Sequence, residues 1–475
     1  MIRSEPDLDK DVVQQMIECG RILTKKGLNN ITSGNESVVL NHRAENVGGL
    51  VMYITRSSSK LGHLDEPTAI VKTSLGEYDG NMVLASSEAD IHKEIHRKRF
   101  EAKPDLKSSA CAHAHTIHAA VLSMEFEETG IKELRIPEKY RSKRIKGSVP
   151  VFVSRYGSGA KDMVENMPGV LMDNPIMILG NHGAFAVGGD PEEALKRLIE
   201  LEAITEKMVL DRIIPQRDRE IEEKVPEGWL DKYAVAGALG QMRYGKTNIK
   251  PKTIGELMRR LDSSSSDWVE AQRRYLNEIF DEFREIGRDL TDFSMDPYRR
   301  GSLSRRIGNT VYITRTGVDF ADLKKEDLLA FEMGEGDRIE PGLCESWLHE
   351  TIYDGIATNY ITHLLPEYSS RYSIYCGEAI VPIDVEGRYV IKKIPVADPG
   401  DNILTKENVG TLIDALKSNE KVAYVKGLGG FALGFGELYE PLHYLESAES
   451  SVKMITLAEK IGIDVRAKQE MFRKW

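Results

Sequence analysis

Two histidines one residue apart, His113 and His115 in CAHAHTIH, and a third, His182 in NHGAF, are the side chains best suited to chemistry in this sequence. In a strand, residues two apart emerge on the same face, so His113 and His115 can grip one ion while a third ligand arrives from elsewhere. Neutral imidazole suits zinc and other late divalent ions. Taken alone, HAH reads equally well as a strand with two surface histidines. Glu88 and His92 in SEADIHKEI lie one helical turn apart and share a face. A carboxylate reaching a three-histidine site serves as a fourth ligand or as a proton-transfer group; at a helix start it is also what the dipole favours. Ser86-Ser87 just before that helix, Ser33-Gly34-Asn35, and Thr55-Arg56-Ser57-Ser58 are small polar loops. They can wrap a phosphate if they converge, and separately they are ordinary caps and turns.

The elements that must position these groups are legible in outline. DVVQQMIECGRILTKKGL carries apolar residues at helical spacing and predicts an opening helix ending near Gly27. ESVVL, LVMYIT and AIVKTSLGEYDG read as strands, the last with a tight turn before Gly80, and a helix spans about Glu88 to Arg99. Beyond Pro104 come a small-residue strand, SSACAHAH, an apolar helix, and strands around VPVFVS and PIMILG. Asp190-Pro191 opens a long helix running to about Asp211, Asp as cap and Pro at the first helical position. Residues 212–267, rich in charge and glycine and ending in Ser263 to Ser266, predict a helical connector with a flexible break.

At 475 residues the chain exceeds what a single core supports, so two or more domains are expected. A net charge of -11 argues against nucleic acid or an anionic membrane as the main partner, because phosphate surfaces attract basic faces. The charged start MIRSEPDLDK lacks the apolar run of a signal peptide, and no apolar stretch is long enough to span a bilayer, which points to the cytoplasm. Four scattered cysteines without a CxxC pair fit reduced thiols, so a metal would need other ligands.

The sequence also repeats itself. EAQRRYLNEIFDEFREIGRDL before RRGSLSRRIGNTVYITRTG resembles the opening helix before TSGNESVV and MYITRSS; Glu88 to His92 recurs as Glu345 to His349, and GAFAVGGDPEEAL as GGFALGFGELYEPL. Matches in the same order along both halves predict a tandem duplication: a domain over 1–211, the connector, and a second domain over 268–475.

SGNES, ITRSS, SSEADIH, HAH and NHGAFAVGG, in that order over roughly the first 210 residues, resemble the class II aldolase/adducin family, whose aldolases include fuculose-phosphate and rhamnulose-phosphate aldolase. The resemblance implies an α/β fold in which each domain has a mainly antiparallel central sheet flanked by helices. It implies that His113, His115 and His182 bind a divalent metal, zinc by default, and that Glu88 is the catalytic acid/base. It assigns Asn35, Thr55, Ser57, Ser86 and Ser87 to a substrate phosphate. The reaction implied is cleavage of a phosphorylated sugar or related hydroxy-carbonyl compound through a metal-stabilised enediolate, in a homo-oligomer whose neighbouring subunit lends a tyrosine. Where the family often has Thr-Pro-Ser-Gly this chain has Thr55-Arg56-Ser57-Ser58, a departure expected to reshape the phosphate pocket. Sugar-phosphate epimerases or dehydratases share the metal triad, and adducin-like interaction proteins keep the fold without it.

In the second copy, overlaying ATNYITHLL on SACAHAHTI puts His363 in the place of His115 and Ile361 in that of His113, while Leu428 stands for His182 and Ser302 for Asn35. One histidine with one carboxylate is not a zinc site. The second domain is therefore expected to keep the fold and lack the chemistry, serving for packing or as a built-in neighbour of the first site.

Overall fold

A computed structural model of the chain describes residues 10–30, 33–41, 49–75, 80–154, 161–213, 249–261, 266–340, 342–400, 404–406 and 408–473. The turn expected before Gly80, most of the connector (214–248) and Ser263 to Ser265 lie outside the described residues. The described residues of 1–217, 383–386 and 454–475 form one compact unit, and those of 218–382 and 387–453 a second.

The first unit is built on eight strands: β1 (Asn35–Asn41), β2 (Leu50–Thr55), β3 (Ile70–Ser74), β4 (Ser108–Ala114), β5 (Gly130–Arg135), β6 (Ser148–Val153), β7 (Ile176–Leu179) and β8 (Gly183–Gly188). They lie in the order β3-β2-β1-β4-β8-β7-β6-β5, and every pair is antiparallel except β6 with β7. Helices α1 (Lys10–Lys25), α2 (Ala89–Ala102), α3 (Ile117–Ser123), α4 (Lys161–Asp173) and α5 (Pro191–Ile213) accompany it. Ile91 and Ile95 of α2 and Met163, Met167 and Leu171 of α4 pack with Cys111, Met177, Phe185 and Val187 of the sheet. Each such large side chain, fully buried, contributes roughly 1.5–3 kcal/mol. α5 lies on β4 and β8, where Ala110, Ala112, Ala184 and Ala186 are buried and short enough for a close approach.

The second unit repeats this plan. Its strands are β9 (Lys252–Thr253), β10 (Ser302–Ile307), β11 (Thr310–Thr314), β12 (Leu328–Glu332), β13 (Tyr360–Leu364), β14 (Ala379–Ile380), β15 (Ile394–Ala397), β16 (Val422–Val425) and β17 (Gly429–Gly434). Their order, β14-β15-β16-β17-β13-β10-β11-β12-β9, is that of the first sheet strand for strand with β9 added at one edge, and again one pair, β15 with β16, is parallel. The remaining helices of the chain are α6 (Ile254–Leu261), α7 (Asp267–Asp292), α8 (Ser346–Gly355), α9 (Glu367–Ser373), α10 (Val385–Val390), α11 (Gly410–Asn419), α12 (Tyr439–Lys460) and α13 (Val465–Arg473), of which α13, the end of α12 and the start of α10 belong to the first unit. The core of this unit joins Trp347, Leu348 and Ile352 of α8 and Leu412 and Leu416 of α11 to Val311, Ile361, Phe431 and Leu433 of the sheet. The architecture is thus α/β with two mainly antiparallel sheets, one per copy. No described helix is long and apolar enough to cross a membrane.

Candidate metal centre

The pairing of three strands fixes the first histidine. His113 of β4 has Asn35 of β1 opposite it on one side and Phe185 of β8 on the other, so all three share the sheet face that carries α2. The Phe185 ring stacks on His113, with centroids 4.3 Å apart at 17°. His113 Nδ1 is 3.0 Å from the Ala184 carbonyl, which can only accept, so Nδ1 carries a hydrogen and Nε2 is the nitrogen left for another partner. Buried, Nε2 meets no hydrogen-bond partner among the described residues.

His115 follows the end of β4, and His182 comes from the turn between β7 and β8. That turn needs its own backbone. Asn181 has a φ of 59°, and a Cβ on Gly183 would stand 2.2 Å from the Ala114 carbonyl oxygen. The three rings lie with centroids 4.7 to 5.1 Å apart, and His115 Nε2 faces His182 Nε2 at 3.1 Å. One ring nitrogen from each lies within 4.8 Å of the others. All three are buried. Burial first, then repulsion from His182 and His113, holds His115 well below the ordinary histidine pKa. Burial and His113 push His182 down to about 4 against an opposing pull from Glu88. Three buried, convergent imidazoles, one with an Nε2 that meets no hydrogen-bond partner among the described residues, fit a divalent ion, and unpaired nitrogen atoms this deep are otherwise costly.

Glu88 caps α2, the Ile91 and His92 amides donating to its carbonyl. Its side chain turns into the site: Oε2 is 3.7 Å from His113 Nε2 and accepts from Asn35 Nδ2 at 2.8 Å. His92 meets Glu88 through that amide, with Nε2 2.5 Å from Asn35 Oδ1. The sequence puts Asn35 with the phosphate loops, whereas its amide partners in the structure are Glu88 and His92.

The other loop residues gather at the start of α2. The Ser86 amide donates to the Thr55 carbonyl (2.9 Å) and the Ser57 amide to that of Leu84 (3.0 Å), so the two segments run side by side. Thr55 is buried, Ser86 half-buried, Ser57 and Ser87 exposed. Ser86 Oγ accepts from the Glu88 amide at 3.3 Å, and Thr55 Oγ1 from that of Glu36 at 3.2 Å. Ser58 adopts a φ of 63°, the left-handed region that favours glycine.

The model of the class II aldolase and adducin N-terminal domain matches residues 14–209 and again residues 281–456. The chain belongs to this family. Solved structures similar to it include an L-fuculose-1-phosphate aldolase of Thermus thermophilus, with 26% identity, 38% of this chain and 93% of that one covered, and a TM-score of 0.34. A sugar-phosphate aldolase of Thermotoga maritima shows 21% identity over 44% of this chain and 98% of its own, with a TM-score of 0.35. The N-terminal class II aldolase domain of a Thermoplasma acidophilum protein shows 16% identity over 44% and 98%, with a TM-score of 0.30. No curated protein matches the chain.

The second family domain corrects one alignment. Ser302, His363 and Phe431 stand opposite one another on β10, β13 and β17 as Asn35, His113 and Phe185 do in the first domain. A Cβ on Gly429 would be 2.2 Å from the Leu364 carbonyl oxygen, as one on Gly183 would be from that of Ala114. His363 therefore occupies the place of His113, Leu365 that of His115 and Ile361 that of Cys111, a slip of two residues from the overlay of ATNYITHLL on SACAHAHTI. Leu428 does stand for His182. The His363 ring stacks on Phe431 at 4.0 Å, with Nδ1 2.8 Å from Glu345 Oε2 and Nε2 2.6 Å from the Leu428 carbonyl. Two acceptors call for two ring hydrogens, an imidazolium. Despite burial, the Glu345 charge raises the His363 pKa. Despite burial, the charge of His363 and its hydrogen bond, with His349 Nε2 3.6 Å away, hold Glu345 well below the usual carboxylate range. Among the described residues, no cluster like that of His113, His115 and His182 occurs in this domain.

Proposed function

We propose that the first domain, residues 1–211, is a metal-dependent aldolase acting on a phosphorylated sugar or a related hydroxy-carbonyl compound, with 212–267 as connector and 268–475 as a second domain without a metal site. The observation that carries this reading is the bare, buried Nε2 of His113, convergent with His115 and His182 and 3.7 Å from the Glu88 carboxylate. His113, His115 and His182 would hold the ion, zinc by its preference for imidazole. A divalent ion there supplies Lewis-acid stabilisation of charge developing on substrate oxygens. Glu88 takes the proton from the substrate and returns it to carbon, held in place by the Asn35 amide. Thr55, Ser57, Ser86 and Ser87 bind the phosphate, whose charge is favoured by backbone N–H groups at the start of α2.

Product analysis tests the reaction. Zinc-loaded protein incubated with phosphorylated ketoses, among them fuculose 1-phosphate and rhamnulose 1-phosphate, should yield two fragments. An intact carbon skeleton with altered stereochemistry or a lost water would replace the aldolase by an epimerase or dehydratase. An absence of any metal after reconstitution would move the chain to the interaction proteins of the family.

A further inference from the structure

Behind Glu88 a line of hydrogen bonds runs through the core of the first unit. Asn35 Nδ2 donates to Glu88 Oε2 (2.8 Å), and Asn35 Oδ1 faces His92 Nε2 (2.5 Å). His92 Nδ1 meets Ser37 Oγ (2.6 Å), which meets His96 Nε2 (2.7 Å); His96 Nδ1 meets Ser109 Oγ (2.9 Å), which accepts from Arg99 Nε (2.8 Å).

The two ends set the sense of every bond between them. A carboxylate accepts, so Asn35 turns its nitrogen to Glu88 and its oxygen to His92, and His92 Nε2 must carry the hydrogen. Burial pushes His92 down to about 4 and His96 well below the usual range, so both rings are neutral with one donor and one acceptor each. His92 Nδ1 then accepts from Ser37, whose oxygen accepts from His96 Nε2. His96 Nδ1 accepts from Ser109, and Ser109 accepts from Arg99, which can only donate. All the dipoles point the same way, from a half-buried guanidinium to the carboxylate.

The second unit shows what this line is for. Glu345 Oε2 accepts from Ser302 Oγ (2.5 Å), Ser302 from His349 Nε2 (2.8 Å), and His349 Nδ1 from Ser304 Oγ (2.6 Å), in the same sense. Ser304 then meets the Tyr353 hydroxyl (2.8 Å), where the first unit has His96 and the path to Arg99. There the carboxylate is pinned from the front by His363 at 2.8 Å. Both carboxylates are supported from behind, but in the first unit the equivalent histidine, His113, stands 3.7 Å from Glu88 and is left for another partner.

We propose that His96 and Arg99 are positioning residues for Glu88, acting through the His92 tautomer and the Asn35 amide to hold the carboxylate toward His113. The proposal rests on the reading of Glu88 as the acid/base. Without His96, His92 can adopt the other tautomer, Asn35 turns over to donate to it, and an amide oxygen then faces the carboxylate and repels it.

The test uses zinc-loaded full-length protein and the variants His96→Phe, His96→Gln and Arg99→Met, with thermal unfolding to confirm a folded chain. Imidazole 15N resonances should report His92 and His96 as Nε2–H tautomers in the native protein, a readout independent of any activity. In His96→Phe the His92 signal should move toward the Nδ1–H form, and kcat should fall roughly 10–100-fold, the usual range for residues behind a metal site, with KM and zinc content unchanged. Arg99→Met should lower kcat in the same direction. Gln offers a donor and an acceptor in place of the ring and should restore most of kcat. A native Nδ1–H tautomer at His92, or folded His96→Phe with full kcat, overturns the proposal. If no substrate is turned over at all, the aldolase reading fails while the tautomers still decide the line of bonds.

Discussion

The two copies hold the same carboxylate at the same helix start, each supported from behind by a residue of the first strand, and differ in the histidine that faces it. In the first, Glu88 is gripped from behind by Asn35, and His113 keeps a bare Nε2 beside two further histidines. In the second, His363 in the position of His113 donates to Glu345, and its other nitrogen reaches the Leu428 carbonyl. Replacing two imidazoles by Leu365 and Leu428 does more than remove ligands: a lone buried histidine becomes a cation that neutralises the carboxylate within the fold. A buried polar group must find a partner. In one copy the protein supplies it, and in the other the arrangement fits a metal.

The largest difference should come from removing a ligand. His182→Ala is expected to lose the bound ion and with it the reaction, whereas Leu428→Ala should leave the metal content of the chain unchanged. Elemental analysis of the purified variants reads both, and metal retained at full stoichiometry in His182→Ala would break the contrast.

The same substitution should then separate rate from stability. Glu88→Gln keeps the ion and lowers kcat by about 10²–10⁴-fold, the range for a lost general acid/base. Glu345→Gln strands a buried imidazolium and should cost about 3–5 kcal/mol of stability, measured by denaturant unfolding. Equal stability losses at the two positions would show that Glu345 is not paired as an ion.

Acid should act on the two copies unequally. His92, His96, His115 and His182 have depressed pKa values, so the stability they confer is complete above their unfolded value of about 6.5 and is lost as the pH falls toward their folded values. His363 is raised, so its contribution is complete below about 6.5 and is lost as the pH rises through its folded pKa; that of Glu345, lowered, is complete above its unfolded value of about 4.3 and is lost as the pH falls from there through its folded pKa. In the second unit His349 and His443 are depressed too, so it loses stability by the same route through fewer groups. After metal removal, hydrogen exchange corrected for intrinsic rates should show the first unit losing more protection between pH 7 and 5 than the second. Equal loss in the two would sink this prediction.

Much of this is readable in the sequence because it depends on short spacing. His-x-His on a strand, a helix beginning at Glu88 and the repeated glycine motifs carry their geometry locally. β5 and β8 do not stand out as strands: GIKELR is an edge strand carrying charge on a short segment, and GAFAVG is buried along its whole length and has no alternation to read. Residues that meet only through strand register escape as well. Ser37, His96, Ser109 and Arg99 come from three elements and share no motif, although Asn35-x-Ser37 and His92-x-x-x-His96 are visible as period-two and helical-turn spacings. The two-residue slip at His363 has a related cause. YITHL offers a single histidine, so nothing fixes the overlay until Gly429 meets the Leu364 carbonyl.

The smallest expected effect sharpens the comparison most closely. Tyr353 stands at the end of the second line of hydrogen bonds, where the first continues through His96 to Arg99. Its hydroxyl lies 2.8 Å from Ser304 Oγ and 3.3 Å from the Asn359 carbonyl. Ser304 spends its hydrogen on His349, so Tyr353→Phe removes one donor from an oxygen that keeps its other bond, leaving the His349 tautomer and Glu345 as they were. The loss should be about 0.5–1.5 kcal/mol, an ordinary hydrogen bond, with no change in the 15N signature of His349. His96→Phe, at the matching place in the first copy, should instead move the tautomer of His92. If Tyr353→Phe also shifts the His349 tautomer, the phenol orders its line as Arg99 orders the other, and a charge at the far end is not what distinguishes the two copies.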